Sequence, residues 1–197
     1  MRFLAFLPVF IAGLGVAISP IDAEGPGGVT VEGTARLAGR PAADVVVWFD
    51  APAPLAKMQA RKVTLDQRNL NFSPHVLAVR IGTVVDFPNN DRVFHNVFSF
   101  RDGKRFDLGM YPVGTLRHVT FDKPGLSRLF CNIHPNMAAY VLAVDTPYFA
   151  VSDESGAFTI PSVVPHNYDY HAWRAGATAL TGTWTPADDR KLVVQWP

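Results

Sequence analysis

The chain has 197 residues, with 18 Lys and Arg against 17 Asp and Glu, so its net charge is +1 when the histidines are neutral. The basic residues are spread along the chain rather than clustered, which excludes a nucleic-acid-binding patch. Without a leader of 23 residues, the remaining length of about 170 residues suits one large domain or two small ones.

Residues 1–23 have the pattern of an export signal. Arg2 supplies a positive start, residues 3–18 are apolar apart from glycines and prolines, and the segment ends in the small residue Ala23. The apolar run is short and interrupted, unlike a membrane span. We therefore predict a signal peptide and a periplasmic mature chain, with an uncleaved anchor as the alternative.

Most of the remaining chain has the pattern of short strands. Val, Phe, Tyr and Trp recur in short runs, and Gly, Pro, Asn and Asp separate these runs, which is typical of an all-β sandwich. The only helical pattern covers Ala56–Leu65. The predicted strands are Val29–Leu37, Val45–Phe49, Val76–Ile81, Thr83–Phe87, Asn96–Phe100, Leu116–Phe121, Ser127–Cys131, Ala139–Val144, Ala157–Ile160, Tyr168–Trp173 and Lys191–Trp196.

The two ends of the chain differ in charge from its middle. Residues 57–147 hold 12 Lys and Arg against 7 Asp and Glu, a balance of +5, whereas residues 24–56 and 148–197 hold 5 against 9, a balance of −4. Both ends also contain a strand-and-turn pattern, in residues 33–49 and in the segment DESGAFTIP of residues 153–161. This pattern resembles the carboxypeptidase regulatory-like, or transthyretin-like, β-sandwich, although His166 stands where that family usually has glycine.

That resemblance implies a domain organisation. Residues 24–56 and 148–197 would form the small transthyretin-like sandwich, and residues 57–147 would be inserted into it as a second domain. The charge difference falls at the same borders and supports this division. The alternative is a single enlarged sandwich with extra strands.

Four residues have the spacing of a metal site. Cys131, the only cysteine, is followed by His134 and Met137, and His95 lies 36 residues before it. A lone thiol is unusual in an exported protein, and metal coordination explains it, although a cysteine can also be a small buried hydrophobe. If Cys131 ends one strand and Ala139 begins the next, the short loop between them can turn His134 and Met137 toward the sulfur.

The donor types favour copper. Two imidazoles, a thiolate and a long axial thioether form the ligand set of a blue-copper site. Zinc also binds Cys and His, but Met is a poor zinc ligand. We predict one type 1 copper ion bound by His95, Cys131, His134 and Met137, with Met137 as the weak and variable axial ligand.

The middle of the chain resembles a cupredoxin. The segment FSPHVLAV followed by GTVVDF is similar to that family's opening strands, residues 89–98 resemble the plastocyanin segment that carries the first copper histidine, and CNIHPNM is closest to amicyanin's short ligand loop. The whole chain looks most like exported plastocyanin-like proteins labelled methylamine-utilisation proteins. This resemblance implies a Greek-key β-sandwich in which His134 lies at the protein surface and passes the electron through its exposed imidazole edge.

Several neighbouring residues have weaker signals. We expect the amide of Asn96 to bridge its strand to the ligand loop and to fix His95. Asn89 and Asn90 are predicted to be structural, as is His75 at a strand start, whereas His118 should face solvent. Met110 is more readily explained by core packing than by a docking rim. His166 and His171 lie outside the middle segment, where we predict no second metal site.

The leading functional hypothesis is one-electron transfer between Cu(I) and Cu(II) in the periplasm. Four protein ligands leave no open position for substrate, and no catalytic triad or phosphate-binding loop is present, so we predict a protein that is not an enzyme. The partner would be a c-type cytochrome or a dehydrogenase with an acidic docking face. The alternatives are a copper carrier for metalloenzyme assembly and a structural role in which the outer sandwich binds a partner.

Overall fold

The computed structural model describes residues 28–50, 61–100, 102–186 and 191–197. These ranges form eighteen β-strands and no helix, which confirms the all-β prediction. The predicted signal peptide, residues 1–23, lies outside the described residues. The strands are β1 Val29–Leu37, β2 Arg40–Pro41, β3 Val46–Phe49, β4 Lys62–Thr64, β5 Asp66–Arg68, β6 Asn71–Ser73, β7 Val76–Arg80, β8 Thr83–Pro88, β9 His95–Ser99, β10 Phe106–Tyr111, β11 Leu116–Phe121, β12 Gly125–Phe130, β13 Ala138–Val144, β14 Phe149–Val151, β15 Ala157–Val163, β16 Tyr168–Trp173, β17 Leu180–Trp184 and β18 Leu192–Trp196.

Strands from the two ends of the chain pair with each other. One sheet has the order β15-β1-β18, with β2 also paired to β1, and a second has the order β14-β3-β16-β17. Alternation explains the packing, since every second residue of β18 is buried and the others face solvent. The two sheets enclose one core, which includes Phe49, Ile160 and Val194.

The middle strands form three further sheets. Their orders are β10-β9-β12-β13-β7, β11-β8-β4 and β5-β6. The inward residues of β8 include Val85 and Phe87, which pack with Leu129 and Val141 of the five-stranded sheet in a second core. Cys131 and Met137 belong to this core, so two of the candidate ligands are packed within it.

A third cluster joins the two groups of sheets. Val76, Leu142 and Val144 come from the outer face of the five-stranded sheet, and Val46 comes from β3. Partly buried Trp173 packs against the same cluster. The middle sheets are therefore packed against the strands from the chain ends. The prediction of two domains with borders at 57 and 147 remains a prediction.

Three sequence-based expectations need correction. The predicted helix Ala56–Leu65 is wrong in its described part, because Lys62–Thr64 is strand β4 and pairs in parallel with β8; its earlier residues lie outside the described ranges. Cys131 follows β12 instead of ending it. Strand β10 was not predicted, because Gly109, with a φ of 65°, lies where its register shifts and interrupts the alternation.

Candidate metal centre

The fold brings three of the four predicted ligands together. His95 is the first residue of β9, Cys131 directly follows β12, and His134 lies in the loop from Cys131 to Met137 that leads into β13. The loop is closed by two backbone hydrogen bonds, in which the amide of Cys131 donates to the carbonyl of Met137 at 3.3 Å and the amide of Met137 donates to the carbonyl of His134 at 2.9 Å. Its short length therefore turns His134 back toward Cys131.

The donor atoms form a small triangle. The Nδ1 atoms of His95 and His134 are 3.1 Å apart, and the Sγ of Cys131 lies 3.6 Å from His134 Nδ1 and 4.0 Å from His95 Nδ1. A circle through three points at these separations has a radius of about 2.1 Å, close to the ~2.0–2.3 Å of metal–nitrogen and metal–sulfur bonds. The three donors therefore fit a single metal ion between them, and they are the His-Cys-His group that the chain offers.

The site is closed on one side and open on the other. His95 is fully buried and Cys131 is 4% exposed, whereas His134 is only partly buried. Exposed apolar side chains flank the ligands in sequence, with Phe94 before His95 and Ile133 before His134. The imidazole of His134 is thus the ligand that lies nearest to solvent.

Met137 is buried beside the other ligands. It is 1% exposed, packs in the same core as Cys131 and shares a backbone hydrogen bond with it. The triangle of donor atoms includes only His95, Cys131 and His134. Axial ligation by Met137 therefore remains a prediction.

One residue of the centre, Asp91, was not predicted from the sequence. Its Oδ2 lies 2.9 Å from the Nε2 of His95, and its side chain is 9% exposed. Its pKa is lowered to about 2, chiefly by a hydrogen bond from the backbone amide of Leu70 and also by the hydrogen bond with His95. Asp91 precedes His95 by four residues, and only the fold of the intervening turn brings the two together.

The predicted bridge through Asn96 is present. The backbone amide of Asn132, in the ligand loop, donates to Oδ1 of Asn96 at 3.4 Å. The Nδ2 of Asn96 donates to Oδ1 of Asp107 at 2.7 Å, which orients the amide. Asn96 therefore connects β9 and β10 to the loop that follows Cys131.

A buried polar network supports the turn that carries Asp91 and His95. Asn89 is fully buried; its Nδ2 donates to the carbonyls of Val93 and Tyr111, and its Oδ1 accepts from the amide of Asp91. Next to it, Nε2 of Gln67 donates to the hydroxyl of Tyr111 at 2.6 Å. Burial raises the pKa of Tyr111 to about 12. These contacts are structural, as predicted for Asn89.

The remaining histidines are not part of the donor triangle. His75 contacts Asp44 at 2.9 Å, in agreement with a structural role, and His118 is exposed as predicted. His171 contacts the carboxylate of Asp50 at 3.0 Å. Across the described ranges, the only group of three or more His, Cys, Asp or Glu side chains that could hold a metal is the His-Cys-His group above.

The exposure of Met110 differs from the expectation from the sequence. Core packing was the favoured explanation for this residue, but its side chain is 54% exposed. It lies on β10 opposite Asn96 of β9, close in register to His95, which pairs with Tyr111. Met110 therefore adds exposed apolar surface near the candidate centre.

Comparison with known proteins gave matches among solved structures alone. No family model and no curated protein match the chain. The copper-containing nitrite reductase from Thermus scotoductus SA-01 matches 48% of this chain, with 25% identity and a TM-score of 0.42. The match covers only 26% of the reductase, so this chain spans about a quarter of the length of that protein.

Two smaller proteins are matched over nearly their whole length. A purple cupredoxin from Nitrosopumilus maritimus matches 43% of this chain and 99% of its own, with 23% identity and a TM-score of 0.37. The reduced Cu(I) form of an amicyanin variant matches 50% of this chain and 98% of its own, with 19% identity and a TM-score of 0.40. Because these TM-scores are low, the assignment of the site rests on its own donor atoms.

Within the ranges that the structure describes, no helical segment has the length and apolar character that a bilayer crossing requires.

Proposed function

We propose that the chain is a type 1 copper protein that transfers single electrons between redox partners. The observation that carries this proposal is the triangle of one cysteine sulfur and two imidazole nitrogens around a common point about 2.1 Å from each. Bound copper would supply a one-electron couple between Cu(I) and Cu(II). In each cycle one electron would enter from a reduced partner and one would leave to an oxidised partner, with no bond made or broken.

The donor chemistry favours copper over zinc. Both metals accept two imidazoles and a thiolate, so the triangle alone does not separate them. The buried thioether of Met137 next to the Cys131 loop adds a soft donor, which suits copper and is a poor ligand for zinc. We propose that His95, Cys131, His134 and Met137 together hold one copper ion.

The surroundings of the site favour electron transfer over carriage of copper. His95 and Cys131 are buried, and the hydrogen bonds that close the ligand loop and link Asn132 to Asn96 restrain the donors. A restrained set of donors changes little between two oxidation states and releases its metal slowly. The partly exposed imidazole of His134 would be the route by which electrons pass to a partner.

The partner would dock near His134. Exposed apolar side chains of Phe94, Met110 and Ile133 flank the ligands, and residues 57–147 carry a balance of +5. We propose a periplasmic redox protein with an acidic docking face, such as a c-type cytochrome or a dehydrogenase. Electrostatic attraction of this kind weakens as salt screens it.

The organisation proposed for the chain follows the sheets. Residues 57–147 would be a cupredoxin domain inserted in a transthyretin-like sandwich of residues 24–56 and 148–197, and residues 1–23 would be a signal peptide. The pairing of β1 and β3 with strands that follow residue 148 supports this organisation, as does the separate core of the middle strands.

The test separates an electron carrier from a copper donor. The full chain is loaded with stoichiometric Cu(II), incubated with a strong copper chelator, and then reduced and reoxidised by small redox reagents. We expect the protein to retain its copper against the chelator and to cycle repeatedly without loss. Rapid surrender of copper to the chelator in either oxidation state would contradict the proposal and favour copper carriage.

A further inference from the structure

The carboxylate of Asp91 contacts His95 at the ring nitrogen that is not part of the donor triangle. Its Oδ2 is 2.9 Å from Nε2 of His95, while Nδ1 of the same ring points to Cys131 and His134. His95 is fully buried, so its Nε2–H has no access to water as an alternative acceptor. The ring thus bridges a carboxylate on one side and the donor triangle on the other.

Asp91 is itself held rigidly. The amide of Leu70 donates to its Oδ2 at 2.7 Å, and the amide of Arg92 donates to its Oδ1 at 2.8 Å. Its own backbone amide donates to Oδ1 of the buried Asn89 at 3.1 Å. With both oxygens and the backbone engaged, the carboxylate cannot turn away from His95 without losing several hydrogen bonds.

This contact determines which nitrogen of His95 is available to a metal. A carboxylate accepts a hydrogen bond but does not donate one, so the proton of the neutral ring must reside on Nε2. The lone pair of Nδ1 is then free and directed at the donor triangle. A carboxylate on the far nitrogen also increases the basicity of a ligating imidazole, which favours the more highly charged metal ion.

We propose that Asp91 is a positioning residue that fixes the tautomer of His95 and strengthens its binding of Cu(II) relative to Cu(I). The proposal about the metal rests on the function proposed above, whereas the tautomer of His95 does not. Removal of the carboxylate should weaken Cu(II) binding by about 10- to 100-fold, the usual effect of losing the hydrogen-bond partner of a ligand. If Cu(I) binding is unchanged, each factor of ten raises the reduction potential by about 59 mV.

The test uses Asp91→Asn, Asp91→Glu and a charge-matched control, Asp122→Asn. Asn has the size of Asp but lacks its charge, and Glu restores the carboxylate. Asp122 forms an ion pair with Lys104 at 2.9 Å. It directly follows Phe121 at one end of β11, whereas the residue that pairs with Pro88 is at the other end of that strand. Three quantities are measured on the full chain: the protonated nitrogen of His95, by ¹⁵N NMR without metal, the affinity for copper, and the reduction potential with copper bound.

The expected results are an Nε2–H tautomer in the wild type, a raised potential and weaker Cu(II) binding in Asp91→Asn, partial recovery in Asp91→Glu and no change in Asp122→Asn. An Nδ1–H tautomer of His95 in the metal-free wild type would overturn the inference whatever the variants do. So would equal potentials and affinities for Asp91→Asn and the control. A wild type that binds no copper, with Nε2–H on His95, would refute the proposed function but leave the tautomer assignment standing.

Discussion

Replacement of Asn89 by alanine tests the network that holds the candidate centre. Asn89 is fully buried and makes three side-chain hydrogen bonds, to the carbonyls of Val93 and Tyr111 and from the amide of Asp91. Alanine removes all three without adding bulk. The affected turn carries both Asp91 and His95, so the substitution should affect stability and metal binding together.

The expected loss of stability follows from the number of bonds. Each intramolecular hydrogen bond contributes about 1 kcal/mol net, so three give about 3 kcal/mol. The buried carbonyl of Tyr111 loses the hydrogen bond that the Asn89 side chain donates to it. A buried acceptor with fewer hydrogen bonds lowers the free energy of unfolding further. In a chain of this size, 1 kcal/mol lowers the Tm by about 2–4 °C, so the expected decrease is about 6–12 °C.

The neighbouring residue is a matched control. Asn90 is exposed, and its side chain makes one hydrogen bond, from Nδ2 to Oδ1 of Asp66 at 2.8 Å. Asn90→Ala should therefore change stability by no more than about 0.5 kcal/mol. Thermal unfolding and copper titration of both variants provide the assay. Equal effects of Asn89→Ala and Asn90→Ala on Tm would refute the reasoning that buried hydrogen bonds hold this turn.

Three further predictions address the proton on a buried phenol, the axial ligand and the junction between sheets. Because burial raises the pKa of Tyr111 to about 12 from an ordinary 10, the stability that it contributes is full below pH 10 and is lost as the pH rises toward 12. The free energy of unfolding should therefore fall between about pH 9 and pH 12 in the wild type, and Tyr111→Phe should make this fall smaller. Met137→Leu conserves volume and should cost less than about 1.5 kcal/mol, yet it should shift the thiolate-to-copper band and the potential, whereas the same change at exposed Met110 should not; identical spectra would exclude Met137 as a ligand. Leu142→Ala, at the junction, should cost about 2–5 kcal/mol in urea unfolding, and Leu116→Ala, which is exposed, much less; a similar small cost for both would show that the junction adds little.

Local patterns in the sequence predicted much of the fold. Val29–Leu37, Leu116–Phe121 and Tyr168–Trp173 are strands with the predicted bounds, because alternating apolar residues there meet a core on one face. Short or irregular strands were missed. Lys62–Thr64 is only three residues long, too short for its alternation to predict a strand, and it is a strand because it pairs with β8, while β10 is interrupted at Gly109.

The candidate site was predictable to the extent that its donors have characteristic chemistry. Cys131 and His134 lie in one short loop, so their proximity follows from their spacing in the sequence. Cys131 is also the only cysteine, which indicates a metal ligand in this loop. Asp91 was missed because its contact with His95 depends on a turn held by the amide of Leu70, 21 residues away in sequence. An acidic residue four positions before a candidate histidine ligand, in a turn rich in asparagine, was the available signal.

The most direct test of the account is the visible and EPR spectrum of the chain loaded with Cu(II), compared with Cys131→Ser. The thiolate is the one donor that distinguishes a type 1 site from ordinary imidazole coordination, and Cys131 is the only cysteine. The loaded wild type should show an intense blue thiolate-to-copper band with a narrow copper hyperfine splitting, and both should be lost in Cys131→Ser. A pale tetragonal Cu(II) spectrum that is the same in both proteins would contradict the assignment of a type 1 site.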